Sequence, residues 1–192
     1  MSKTILKHSV GVHVTDRGPY IVTYTGKKFF PMSIRAGDIC IEDIAHALSN
    51  QCRFAGHTEW FYSVAQHSIL VSMVLSGMLK KPELALKGLL HDASEAYLVD
   101  VPRPIKRMAD FTVYRSIEKA LTGVIYSKYG IGNTSQEDIE EADNLLLATE
   151  ARDLMSNPQW ANEMPKLRIK IPRWTPEHAE KMYLKKFKEL YV

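Results

Sequence analysis

Residues 89–106 read Leu89-Leu90-His91-Asp92-Ala93-Ser94-Glu95-Ala96-Tyr97-Leu98-Val99-Asp100-Val101-Pro102-Arg103-Pro104-Ile105-Lys106. The stretch opens inside a helical pattern that runs from Leu84 to Tyr97, with Pro82 in its first turn, where a missing amide hydrogen costs nothing. Pro102 and Pro104 stop any continuation. Within that helix an ionisable pair, His91-Asp92, follows directly on Leu89 and Leu90. Consecutive helical side chains project about 100° apart, so the pair offers two polar heads from one apolar face. Burying such groups is unfavourable unless they are paired or bind a metal.

Two other predicted helices carry similar groups. Upstream, Trp60, Val64, Val71, Val74 and Met78 recur at three-, four- and seven-residue steps, as one face of a long helix does, and His67 shares the face of Val64, Val71 and Val74. Downstream, Ser135 with Asp138 three residues later resembles a capping signal. The helix it opens runs to about Met155 and sets Asp143 between Ile139 and Leu146-Leu147. His67, His91, Asp92 and Asp143 thus form a candidate shell of two nitrogens and two oxygens from three helices. Imidazole with carboxylate suits zinc, manganese, iron, cobalt or nickel better than an ion such as calcium that takes oxygen ligands only. Taken singly each residue has a plainer reading: a core histidine satisfied by a hydrogen bond, or Asp143 paired with Arg152 or Arg107.

The rest of the 192 residues reads as one mostly helical domain. Tyr20 to Thr25 is β-branched and aromatic, and Gly26-Lys27-Lys28 turns it toward Phe29-Phe30, which predicts a short β-hairpin within an extension of residues 1–40. Asp38 is the candidate cap of a first helix over Ile41 to Ser49, with Ile44 and Leu48 at i,i+4 spacing. Residues 41–155 form the helical core, including a helix from Tyr114 to Tyr129 ended by Gly130 and Gly132. Residues 156–192 form a loop punctuated by Pro158, Pro165 and Pro172, then a last helix opened by Thr175-Pro176-Glu177. The expected fold class is all-α, a helical bundle with a short N-terminal β-hairpin.

Composition narrows the partners. Lys+Arg 25 against Asp+Glu 22 gives a net charge of +3, without the clustered basic stripe of a nucleic-acid binder. Val64 to Leu79 is interrupted by Gln66, His67, Ser68, Ser72 and Ser76 and falls short of the ~20 apolar residues of a membrane span. Met1 to Asp16 lacks the apolar core of a signal peptide. A cytoplasmic protein is expected, with Cys40 and Cys52 as reduced, structural thiols. His8, His13, His46, His57 and His178 have no ligand-like spacing, and Lys185-Lys186 with Lys188 reads as a solvated helix face.

The block from His91 to Lys106 resembles the HD-domain phosphohydrolases, specifically their single-domain 5′-deoxyribonucleotidase-like branch, to which phage deoxyadenosine triphosphohydrolases also belong. Val64-Ala65-Gln66-His67-Ser68 is similar to a branch motif in which the histidine follows Val-Ala-Glu, and Glu141-Ala142-Asp143 is similar to the segment with the closing aspartate. The likeness spans roughly residues 41–152. It departs from the pattern at Gln66, where many members have Glu; this residue adjoins a ligand and removes none.

The resemblance implies an HD-domain helical bundle that removes phosphate or triphosphate from a deoxynucleotide, dATP or dAMP favoured, by attack of a metal-activated water. It implies one divalent transition metal per chain (zinc, cobalt or manganese) on His67, His91, Asp92 and Asp143, and a second divalent ion such as magnesium with the nucleotide phosphates. Glu95 is then the group that orients or deprotonates the water, beside Asp92. Arg53 and Lys106 contact phosphate, with Arg103 and Arg107 as helpers. Asp100 accepts a hydrogen bond from the sugar 3′-hydroxyl, Phe54 or Tyr97 stacks on the base, and Pro104 joins the substrate-binding set. The implied partners are a small-molecule deoxynucleotide and further copies of the chain, a homo-oligomer (dimer or hexamer), with no nucleic acid and no membrane. Two other readings stay open. One is a non-catalytic HD nucleotide-binding module, whose signature is a lost ligand. The other is an alarmone 3′-pyrophosphohydrolase, which calls for a longer, more basic pocket.

Overall fold

A computed structural model describes residues 13–132 and 134–191; the expectations for Met1 to Val12, including the lack of a leader and of a role for His8, lie outside the described residues. The chain is mostly helical with a small antiparallel sheet at its N-terminal side. The centre is α2 (Val64–Met73), capped by Ser63, whose Oγ accepts the Gln66 N–H at 3.1 Å. Every side chain from Val64 to Ser72 is buried. The helix is therefore enclosed all round, and the single apolar face expected from Trp60 to Met78 is corrected. Trp60 precedes the cap, and beyond Met73 the chain widens into a π turn over Val74–Met78. There Ser76 Oγ donates to the Ser72 carbonyl at 3.0 Å and competes for the regular helical acceptor.

α3 (Ala85–Leu90) lies against α2 at Gly88. A Cβ at Gly88 would collide with the Leu75 side chain and come within 3.4 Å of Ser72 Cα. This close approach carries His91, just past the end of α3, over His67. The expected single helix from Leu84 to Tyr97 is broken, since His91 to Ser94 form a turn before α4 (Glu95–Leu98). Its cause is a run of i→i−3 bonds: the N–H groups of Ala93, Glu95 and Tyr97 reach Leu90, Asp92 and Ser94 at 3.0–3.1 Å, tightening the chain away from α-helical pitch. α5 (Arg103–Lys106) follows after Pro102.

α1 (Ile41–Asn50) starts at Cys40 with no side-chain cap. Asp38 does not cap it, because Arg17 takes that carboxylate with its two terminal guanidinium nitrogens, at 3.1 and 2.5 Å. Asp43 in the first turn instead accepts the Thr25 N–H at 2.7 Å and its hydroxyl at 3.0 Å, joining the sheet to α1. The sheet order is β1 (His13–Thr15), β2 (Gly18–Val22), β3 (Lys28–Phe29), with Ile21 opposite Phe29 and His13 opposite Tyr20. The expected hairpin is β2–β3, and β1 adds a strand to it.

α6 (Thr112–Lys128), α7 (Glu137–Leu154) and α8 (Pro176–Leu190) complete the bundle. Ser135 Oγ accepts the Asp138 N–H at 3.4 Å, and Thr175 Oγ1 accepts the His178 N–H at 3.3 Å. One core gathers Phe29, Ile44, Leu48, Leu89, Leu121, Ile125 and Tyr183. A second gathers Tyr62, Val71, Leu75, Ile139, Leu146 and Leu154. α2 contributes to both, which fixes its roll and so the direction of His67. Among the described residues no helix is long and apolar enough to cross a membrane.

Candidate metal centre

His67 from α2, His91 and Asp92 from the turn after α3, and Asp143 from α7 come together. The two imidazoles present Nε2 to each other at 3.4 Å. Asp92 Oδ2 lies 3.2 Å from His91 Nε2 and 3.6 Å from His67 Nε2. The ligand atoms of His67, His91 and Asp92 all lie within 4.8 Å of one another, so this cluster can hold a metal ion. Asp143 stands outside that tight trio and brings Oδ1 to 3.2 Å from His67 Nε2.

The opposite ring nitrogens explain why both Nε2 atoms are available. His67 Nδ1 lies 2.6 Å from Glu150 Oε1, and His91 Nδ1 lies 2.8 Å from the Gly88 carbonyl. Each acceptor requires N–H at Nδ1, which leaves the Nε2 lone pair of a neutral ring facing the shared space. This is the arrangement in which second partners orient metal-binding histidines. Two facing lone pairs with adjoining carboxylate oxygens make a donor set that a metal ion could occupy.

Charge balance points the same way. Burial opposes ionisation of Asp92, Asp143 and Glu150, yet the imidazoles and Arg53 hold all three carboxyls below their ordinary range. Burial alone would lower the His91 pKa, but the Asp92 and Asp143 carboxylates lift it to about 9. The cluster thus demands positive charge at the Nε2 atoms. Arg53 supplies part of it, with nitrogens 3.5 Å from Asp92 Oδ2 and 3.3 Å from Glu150 Oε2.

Glu150 and Tyr62 also belong to the site, although neither stands out in the sequence. Glu150 is fully buried, and besides His67 and Arg53 it accepts the Tyr62 hydroxyl at 2.7 Å. Its position two helical turns beyond Asp143, on the face of α7 that packs inward, is the signal that finds it. Asp143 pairs with neither Arg152 nor Arg107: Arg103 reaches it at 3.4 Å, while Arg152 pairs with Asp153. Gln66 points its amide away from the histidines and donates to the Pro172 carbonyl at 2.6 Å. Glutamate has no donor for that carbonyl, which accounts for glutamine here.

Around the cluster, Glu95 is buried, with Oε1 3.6 Å from Lys106 Nζ and Oε2 without a hydrogen-bond partner. Burial, reinforced by Asp92 and Asp100, pushes its carboxyl pKa well up. Lys106 also pairs with Glu118 at 2.6 Å. Asp100 follows α4, with its N–H held by Gln51 Oε1 at 3.2 Å. Phe54 is half-buried beside the Arg53 guanidinium, 5.6 Å away, and Pro104 is exposed on α5. Tyr97 is no stacking surface: it packs on Phe29 at 4.5 Å in the core, and its hydroxyl accepts the Cys40 N–H at 3.4 Å.

The protein is thus mostly helical, with a buried His67 beside half-buried His91 and Asp92 in a cluster able to hold a metal ion. The chain belongs to the family of the uncharacterized protein YfdR of Escherichia coli (strain K12), to which it is 39% identical over 180 residues, covering 89% of this chain and 95% of that one. An uncharacterized protein of Rhodobacter capsulatus is 38% identical over 100 residues, covering 49% of this chain and 50% of that one. No family model matches the chain.

Proposed function

We propose that this chain is an HD-type metal-dependent phosphohydrolase that removes phosphate or triphosphate from a deoxynucleotide. The observation that carries this reading is the facing pair of Nε2 atoms, 3.4 Å apart, each with its Nδ1 held by an acceptor. A divalent ion held by His67, His91, Asp92 and Asp143 would polarise the reacting phosphate and lower the pKa of a water from its bulk value towards about 7.

The chain's own residues supply the rest. Glu95 Oε2, buried and unpartnered, is the acceptor for the proton of the attacking water. Burial and the neighbouring Asp92 and Asp100 raise its carboxyl pKa, which makes the carboxylate a stronger proton acceptor than an exposed one. Lys106, 3.6 Å from Glu95, adds the positive charge that a phosphate attracts. Arg53 is held between Asp92 and Glu150 and forms the inner wall. Arg103, with its side chain 56% exposed and ending 3.4 Å from Asp143, would exchange that carboxylate for a phosphate oxygen. Asp100 takes the sugar 3′-hydroxyl, and Phe54 lies against the base. A cytoplasmic homo-oligomer belongs to the same reading.

The test is a screen of deoxy- and ribonucleotide mono-, di- and triphosphates with added manganese, cobalt or zinc. Released phosphate and nucleoside are read together, so the leaving group is identified in the same assay. Release from a deoxynucleotide supports the reading. Nucleotide binding without release favours a non-catalytic module, and release from a guanosine alarmone alone favours the pyrophosphohydrolase.

A further inference from the structure

Between Glu95 and Asp100 the backbone takes a conformation that β-branched residues avoid. Val99 sits at φ 69° and ψ 147°, close to a region almost confined to glycine. Its side chain is 60% exposed, so side-chain packing does not hold it there. Two other side chains hold the backbone. Gln51, just past α1, donates from Nε2 to the Glu95 carbonyl at 3.0 Å and accepts the Asp100 N–H at Oε1 at 3.2 Å. Tyr114 on α6 donates its hydroxyl to the Val99 carbonyl at 2.8 Å. Gln51 is itself anchored, because its own carbonyl accepts the Val64 N–H at 3.0 Å, at the start of the helix that carries His67.

We propose that Gln51 is a positioning residue: its amide ties the start of α2 to the segment from Glu95 to Asp100 and holds Val99 in its strained conformation. The consequence for catalysis rests on the phosphohydrolase reading; the clamp itself does not. A planar amide offers one donor and one acceptor side by side, which matches a carbonyl and an N–H five residues apart. Glutamate lacks the donor and would set a second negative oxygen against the Glu95 carbonyl. Asparagine is one methylene too short to keep both bonds from the same backbone position.

Gln51→Leu and Gln51→Asn, prepared with metal, are compared with the wild type for steady-state turnover, metal content and amide exchange over residues 95–101. The expected result is a loss in kcat of about ten- to a hundredfold at unchanged metal content, with KM altered less. Exchange of the Asp100 amide rises about fivefold or more as its acceptor is removed. Adding Val99→Gly to Gln51→Leu recovers kcat by roughly threefold or more, because glycine enters positive φ without a clamp. A merely structural role for Gln51 yields no such recovery. Wild-type kcat in folded Gln51→Leu, unchanged exchange, or a double variant no faster than the single one overturns the clamp. A wild type that turns over no nucleotide, with exchange still responding, contradicts the phosphohydrolase reading instead and removes the catalytic half of the proposal.

Discussion

His67 and Glu150 are joined by the 2.6 Å contact between Nδ1 and Oε1, and both side chains are fully buried. The bond fixes which nitrogen of His67 faces His91. It also places a third carboxylate behind the ring, shared with Arg53 and Tyr62.

Glu150→Gln weakens this support while keeping the shape of the side chain. Metal affinity is expected to fall by about 10–100-fold, the usual cost of losing an outer partner of a histidine ligand. Competition with a fluorescent chelator measures it. Unchanged affinity would mean that Glu150 serves only to neutralise Arg53.

Glu95→Gln separates chemistry from binding. The amide cannot take a proton, so kcat is expected to fall by about 10²–10⁴-fold, with metal content and nucleotide affinity retained. Loss of the metal in this variant would make Glu95 a ligand or a structural group.

Asp100 is expected to discriminate between sugars. In the proposed reading its carboxylate would accept from a 3′-hydroxyl and crowd a 2′-hydroxyl, so deoxynucleotides should outperform ribonucleotides, with adenine the favoured base. An unpaired buried polar group costs roughly 1–3 kcal/mol, about five- to 150-fold in rate. Asp100→Ala should slow the deoxy substrate and narrow the gap between the sugars. Equal wild-type rates on matched ribo- and deoxynucleotides would remove this role.

Asp153 offers a pH test away from the metal centre. Burial works against ionisation of its carboxyl, but Arg152, the Ile171 N–H and Lys170 hold its pKa at about 2. The folded pKa is depressed below the ordinary carboxylate value, so the stabilisation is present above about pH 4 and is lost as pH falls toward 2. Urea unfolding should show wild type more stable than Asp153→Asn by about 1–2 kcal/mol at pH 6, with the difference closing between about pH 4 and 2. A difference independent of pH would assign the effect to packing.

The convergence of His67, His91 and Asp92 is legible in the sequence because each stands among apolar neighbours, where an ionisable group needs a partner. Thr175 and Ser135 are legible as helix starts for a similarly local reason: a hydroxyl accepting an N–H three residues ahead. The break after Leu90 is not, since i→i−3 bonding leaves no mark in the spacing of apolar residues. Nor is the fate of Asp38, because its partner Arg17 lies 21 residues away and nothing local announces the pairing. Enclosure of α2 on all sides escapes a reading by periodicity because Gln66, Ser68 and Ser72 are buried polar residues that mimic a solvent face. Glu150 hides for the same reason: a glutamate on a charged helix reads as solvated until its tertiary partners are in place.

In the proposed reading the cluster of His67, His91 and Asp92 holds a metal on which phosphoester hydrolysis depends. The decisive measurement is elemental analysis of the purified protein together with deoxynucleotide hydrolysis before and after chelation, and again on Asp92→Ala. About one transition ion per chain is expected, lost with the activity on chelation, both restored by zinc, cobalt or manganese, and neither present in Asp92→Ala. Hydrolysis undiminished in metal-free protein, or a stoichiometric ion in Asp92→Ala with full turnover, would contradict it.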